Sequence, residues 1–287
     1  MIEKYYNGVI EQVAGGIGNV EHNSILVRYS NDFSIWDLES VNHYKDQTDI
    51  FFTCHEFSYN KIAEAYEPYL GLIRQMFHKY CSGTLEEFME ECDVYKLQRP
   101  VFESYFEKGF CERTEQILID EVEYEQERMH SSIVTMLQKL SEICPIVIVL
   151  NRFQLASKST MQLTNRLLQT KNKNIGIVLG VNDVQSIPEF AHEEWDAICE
   201  SMDDRNMVYH IGNAGRNMEP DVMDYYSDYE SDDGYRKLNN LVYFLDFDQA
   251  NHHLSKIERR IKFDNFTISE KKHYQLLLLQ IMVSVLQ

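Results

Sequence analysis

Apolar residues recur along this chain in two rhythms, short β-rich runs and longer segments with helical spacing, and the two alternate. Five runs read as strands: Val9–Ala14, Ile50–His55, Ile146–Leu150, Ile175–Val181 and Met207–Ile211. The third, Ile146-Val-Ile-Val-Leu150, is apolar throughout, as a strand covered on both faces must be, and is read as the central strand. Helical spacing links Ile62, Tyr66, Tyr69, Ile73, Phe77 and Tyr80, with Pro68 kinking the helix or beginning its regular part. It links Met129, Ile133, Met136, Leu137, Leu140 and Ile143 directly ahead of Pro145, whose ring ends a helix and launches the buried strand. Further helices are expected over Thr160–Gln169 and from Ala191 to Met202. Strand alternating with helix predicts an α/β fold of three layers around a mainly parallel five-stranded sheet.

Two stretches interrupt the alternation. Residues 81–128 carry 14 acids against five bases but also Tyr95, Phe102, Tyr105, Phe106 and Phe110, which predicts an ordered, peripheral helical insertion. Residues 219–235 hold seven acids and no base and are read as a solvated loop. That loop divides a sheet domain, 1–218, from a helical module, 236–287. The module contains Leu238, Leu241, Val242 and Leu245, then Leu254 and Ile257, then the apolar run Leu276–Leu286. This last run reads as the start of a longer helical region.

Composition narrows the classes of function. The 287 residues are 44% apolar and 25% charged, enough for a sizeable core and unlike a disordered or collagenous chain. With 46 acids against 27 bases the net charge is −19, which repels phosphate backbones and anionic lipid, so neither nucleic acid nor a membrane is expected as a direct partner. Six cysteines without C-x-x-C or zinc spacing fit reduced thiols and a cytoplasmic location. No apolar stretch is long enough for a bilayer span.

Glycines carry the first candidate chemistry. Val13-Ala-Gly15-Gly16-Ile-Gly18-Asn19-Val20, taken as the turn after the first strand, has the glycine density of a phosphate-cradling loop. A working loop needs a lysine for the phosphate charge and a hydroxyl for Mg²⁺; in this register those positions are Asn19 and Val20, and only Gly16-Ile17-Gly18 remains. The ligand-free alternative is a tight strand-to-helix turn.

The stretch from Pro145 to Leu163 carries a more specific signal: Pro145, five aliphatics, then Asn151-Arg152-Phe153-Gln154, Ala156, Thr160-Met161 and Leu163. It resembles the segment of STAND-type ATPases, signalling relatives of the AAA proteins, in which an apolar strand ends in two acids. Tyr66-Glu-Pro68-Tyr69-Leu70, Gly180-Val-Asn182-Asp183 and Glu193-Glu-Trp195 add to the resemblance, which covers about residues 8 to 212. It implies a P-loop NTPase-like domain, nucleotide contacts at Gly15, Gly16, Gly18, Asn19, Val20, Asn151, Arg152 and Asn182, and continuation into helical repeats. A diguanylate cyclase or DNA-binding output domain is a further implication of the family.

The departures from the family pattern bear on activity. The strand-end acids that hold Mg²⁺ and polarise water are replaced by Asn151 and Arg152, an amide and a cation where a metal needs anions. Each missing electrostatic contribution is worth on the order of 3 kcal/mol, so turnover is expected to be negligible. The sequence therefore predicts an inactive STAND-like module that regulates or scaffolds a larger signalling protein. The alternative is an ATP/GTP binder, without standard Mg²⁺ coordination, that uses Arg152 and the Gly16–Gly18 turn. Arg152 can equally pair with an acid, and Asn182-Asp183 can be a simple turn. His252-His253 point about 100° apart on a helix and make poor joint ligands. His55 and His210 read as strand-end residues, and Asp203-Asp204 and Asp232-Asp233 lack the spacing of a dedicated cation loop. No catalytic metal is expected.

Overall fold

A computed structural model describes residues 2–18, 23–30, 34–45, 47, 49–58, 61–109, 122–170, 172–183, 187–203, 208–211 and 232–261. The chain order is α1 (Ile2–Gly16), β1 (Ser24–Tyr29), α2 (Glu39–Lys45), β2 (Phe51–Glu56), α3 (Tyr69–Tyr80), α4 (Leu85–Glu91), α5 (Arg99–Lys108) and α6 (Val122–Ile143). It continues with β3 (Ile146–Asn151), α7 (Lys158–Gln169), β4 (Ile175–Asn182), α8 (His192–Asp203), β5 (Val208–Ile211), α9 (Asp232–Tyr243) and α10 (Phe247–Ile261). Short 3₁₀ turns at 35–37, 153–155 and 189–191 precede α2, α7 and α8.

All strand pairs are parallel, in the order β2-β3-β4-β1-β5. The four longer strands run from β2 to β1, and β5 adds four residues beside β1, from Leu26↔Val208 to Tyr29↔Ile211. Alternation along the strands separates two apolar clusters. Ile25, Val27, Tyr29, Val147, Val149 and Val178 face α1 and α2. Leu26, Ile146, Ile148, Leu150, Ile177 and Leu179 face the side that carries α3 and α6–α8. Helices on both faces explain why β3 is buried at every position.

One expected strand is corrected. Residues 9–14 form the second half of α1, whose buried residues Tyr6, Val9, Ile10, Val13 and Ala14 follow the i, i+3, i+4 stripe of a helix. The first strand is instead Ser24–Tyr29. Gly15 and Gly16 close α1, and Asn23 Nδ2 donates to Val13 O, satisfying a carbonyl of the last turn.

The C-terminal boundary also differs from expectation. Helix α9 starts at Asp232, inside the stretch read as a loop, while 212–231 and 262–287, with the run Leu276–Leu286, lie outside the described residues. Nor are α9 and α10 a detached module. Leu238, Leu241, Phe244, Ala250 and Leu254 are buried in the same cluster as Met161, Leu163 and Trp195. Ala65 N donates to Asn240 Oδ1 at 3.2 Å, and Gln249 Nε2 donates to Ala63 O at 3.3 Å. In the acidic insertion, Thr84 and Glu87 form a reciprocal cap on α4, and Phe88, Met89, Val101, Phe102 and Phe106 join the main core. Residues 110–121 lie outside the described residues. Among the described residues, no helix is long and apolar enough to cross a membrane.

Candidate functional site

In an open parallel sheet, ligands sit at the carboxyl ends of adjacent strands whose outgoing connections leave toward opposite faces. Here those strands are β1, which leads into α2 on one face, and β4, which leads into α8 on the other. The crevice above Tyr29 and Asn182, with Asn151 at the end of β3, is therefore the candidate site.

Its centre is filled by the protein's own side chains. Tyr29 Oη donates to Asn151 Oδ1 at 2.7 Å, and Tyr6 from α1 packs edge-on against Tyr29 with ring centroids 6.5 Å apart. Gly180 has no side chain because its Cβ would run into Tyr6 Oη and Asn151 Oδ1. The Asn182 N–H donates to Gln154 Oε1 at 3.4 Å, and the Asp183 N–H donates to Tyr29 O at 2.8 Å. Burial raises the Tyr6 phenol well above its ordinary pKa, so it stays protonated. Asn151 Nδ2 and Gln154 Nε2, in side chains with no exposed surface, have no acceptor among the described residues.

Toward β2 the site is occupied by a carboxylate. The register sets Glu56 beside Asn151. Arg152, in left-handed backbone at φ 54°, places Nη1 3.0 Å from Glu56 Oε1; their side chains are 17% and 10% exposed. The other oxygen, Oε2, accepts from Ile35 N at 3.2 Å and from Ser34 Oγ at 3.5 Å. These donors belong to the segment that leaves β1, where a bound anion would have to be cradled. Residues 30–38 contain no glycine, lysine or arginine, and their donors at Ser34 and Ile35 are engaged by an internal acid. Beside this pair, His55 Nε2 lies 3.6 Å from Glu67 Oε1; burial pushes the imidazole down to about 4 and raises the Glu67 carboxyl.

The candidate residues fall into two groups. Asn151, Arg152 and Asn182 gather at the carboxyl ends of the strands. Gly15, Gly16 and Gly18 lie at the opposite edge: Gly16 abuts Asn23, just ahead of β1, and Gly18 N donates to Lys173 O at 2.8 Å, just ahead of β4. The glycine segment therefore precedes β1 rather than following it and does not share a site with Arg152. Asn19 and Val20 lie outside the described residues. Gly18 meets a backbone need, since its φ of 79° suits glycine in the turn leaving α1. Glu56, Tyr6 and Tyr29 escaped the sequence reading. The acid closing Phe51-Phe-Thr-Cys-His-Glu56 was the available signal for the first.

A second polar centre lies where α10 meets the start of α7. Ser157 Oγ accepts from Thr160 N at 3.2 Å, and Gln249 Oε1 accepts from Lys158 N at 3.2 Å. Asp246 Oδ2 accepts from Ser159 N at 3.3 Å and from Ser159 Oγ at 2.6 Å. Side chains thus satisfy three orphan donors of the first turn. Burial pushes the Asp246 carboxyl up to about 7.

Among the described residues, no group of three or more His, Cys, Asp or Glu is placed to hold a metal. His252 and His253 have ring centroids 5.4 Å apart, and His253 is buried on α10 with its imidazole held neutral. Comparison with protein-family models and with curated proteins finds no match to this chain.

Proposed function

We propose that this domain is a catalytically inactive STAND/AAA-like ATPase module that regulates or scaffolds a larger signalling protein. The observation that carries the reading is Glu56. An internal carboxylate takes the Ile35 N–H and the Ser34 hydroxyl, and it neutralises Arg152 at the end of β3. A nucleotide phosphate arriving there meets an engaged donor set, an acid of its own sign and no glycine cradle. Asn151, at the strand end where the resembled ATPases carry an acid, is bonded to Tyr29 instead. What remains is an α/β scaffold whose exposed faces can serve protein contacts.

The test is thermal denaturation of the chain with ATP, ADP, GTP and GDP, each with and without Mg²⁺, alongside a phosphate-release assay. A ligand at a hundred times its Kd adds about 2.7 kcal/mol to stability, so binding at the crevice is readily seen. The expected result is no release and no shift that depends on Arg152. Release that disappears in Arg152→Ala defeats the proposal. The second reading, a non-standard ATP/GTP binder without Mg²⁺, is favoured by the donors Asn151 Nδ2 and Gln154 Nε2, which have no acceptor among the described residues. It requires a metal-independent shift that is lost in Asn151→Leu.

A further inference from the structure

A concavity of about 500 Å³ lies between α3 and α5, away from the strand ends, lined by Gly71, Arg74, Gln75, His78, Lys79 and Tyr105. Gly71, Arg74, Gln75 and His78 form one stripe at i, i+3, i+4 and i+7 on α3, so the helix presents them along a single wall. Tyr105 of α5 faces them, its hydroxyl 3.7 Å from where a Cβ on Gly71 would stand.

In a chain of net charge −19, Arg74, His78 and Lys79 stand together, and none of the three joins an ion pair among the described residues. The side chains are nonetheless held in place. Arg74 Nη2 donates to Glu107 O at 3.4 Å, while its Nη1 backs onto Gly109. Lys79 Nζ sits over the Phe51 and Tyr80 rings, 5.6 and 5.1 Å from their centroids. A guanidinium with donors unused among the described residues, in a concavity that Lys79 also lines, matches a phosphate monoester, which accepts a fork from arginine and a point charge from lysine. The volume falls in the range of small-molecule pockets and exceeds the need of a bare inorganic ion.

The geometry points to the α3–α5 concavity as a binding site for a small soluble phosphate monoester, with Arg74 and Lys79 as its anion contacts and Tyr105 facing the organic portion. The site is independent of the strand-end crevice and of the function proposed there.

Isothermal titration of the full chain with ribose 5-phosphate and, separately, with inorganic phosphate tests it. Ribose 5-phosphate is expected to bind saturably, at least tenfold more tightly than inorganic phosphate. Arg74→Gln is expected to weaken it at least tenfold, whereas Arg152→Ala leaves it unchanged and so separates this site from the crevice. Thermal melts by circular dichroism report whether Arg74→Gln is folded, and the exposed Lys79→Gln supplies a second variant with the same expected direction. Absence of saturable binding of ribose 5-phosphate overturns the proposal. So does binding unaltered in both variants, an affinity no greater than that of inorganic phosphate, or preferential binding of a glutamate-rich peptide.

Discussion

Truncating Arg152 to alanine leaves the Glu56 carboxylate, 10% exposed, with hydrogen bonds from Ser34 and Ile35 but without its counter-charge. Breaking a pair so nearly buried costs about 3 kcal/mol, measurable as a lower urea midpoint with unchanged slope. The double variant Glu56→Gln/Arg152→Met is expected to recover most of that loss, because it removes both charges and keeps an acceptor for Ile35 N. Gly180→Ala tests how completely the crevice is filled. Its methyl group would collide with Tyr6 Oη and Asn151 Oδ1, and overpacking of this kind costs about 2 kcal/mol. In a Tyr6→Phe background the penalty shrinks, since the nearer of the two obstacles has gone; a double-mutant cycle by chemical denaturation reads the difference.

At the scale of the element, the clasp between α10 and the first turn of α7 makes stability depend on pH. Asp246 is raised from its ordinary 3.8 to about 7, so the fold favours the protonated acid. Its contribution is complete below pH 3.8 and is lost as pH rises toward 7. His55 and His130, lowered to about 4 by burial, act oppositely: their contribution is complete above pH 6.5 and is lost as pH falls toward 4. The two trends oppose each other across pH 4 to 6.5. Asp246→Asn removes one of them, so unfolding free energies measured from pH 4 to 7 are expected to show the variant gaining on the wild type as pH rises. No such drift would mean that Asp246 is not desolvated.

Elements differ in how plainly the sequence announced them. β3 was legible because five consecutive apolar positions, Ile146–Leu150, leave no polar interruption, and Pro145 marked the end of α6. β2, β4, α7 and α8 were legible from the same two rhythms. Helix α1 was not. Val9, Ile10, Val13 and Ala14 include an apolar pair typical of a short strand, and only the addition of Tyr6 completes the helical stripe. That misreading moved the glycines to the wrong end of the sheet, because a glycine turn following a strand and one following a helix are alike in composition. At the site, Asn151 and Arg152 were legible from their place after an apolar run. The acid that pairs with Arg152 lies 96 positions upstream by number, and only the parallel register of β2 on β3 brings it alongside.

For the whole molecule, the C-terminal helices belong to the fold rather than hanging from it. Leu238, Leu241, Phe244 and Leu254 are each at most 4% exposed, and burying side chains of this size contributes roughly 1.5–3 kcal/mol apiece. Their loss is comparable to the roughly 5–15 kcal/mol that holds a domain together. A chain ending at residue 231 is therefore expected to aggregate or to lose cooperative melting, as monitored by circular dichroism and size-exclusion chromatography; a sharp transition near that of the full chain would contradict this.

The placement of Glu56 also sets an order of operations for anyone wishing to install nucleotide chemistry on this scaffold. Grafting glycines and a lysine between Ser30 and Leu38 is insufficient, because the incoming ammonium would find a resident anion before it found a γ-phosphate. The tenant has to be evicted first, and Arg152 rehoused with it.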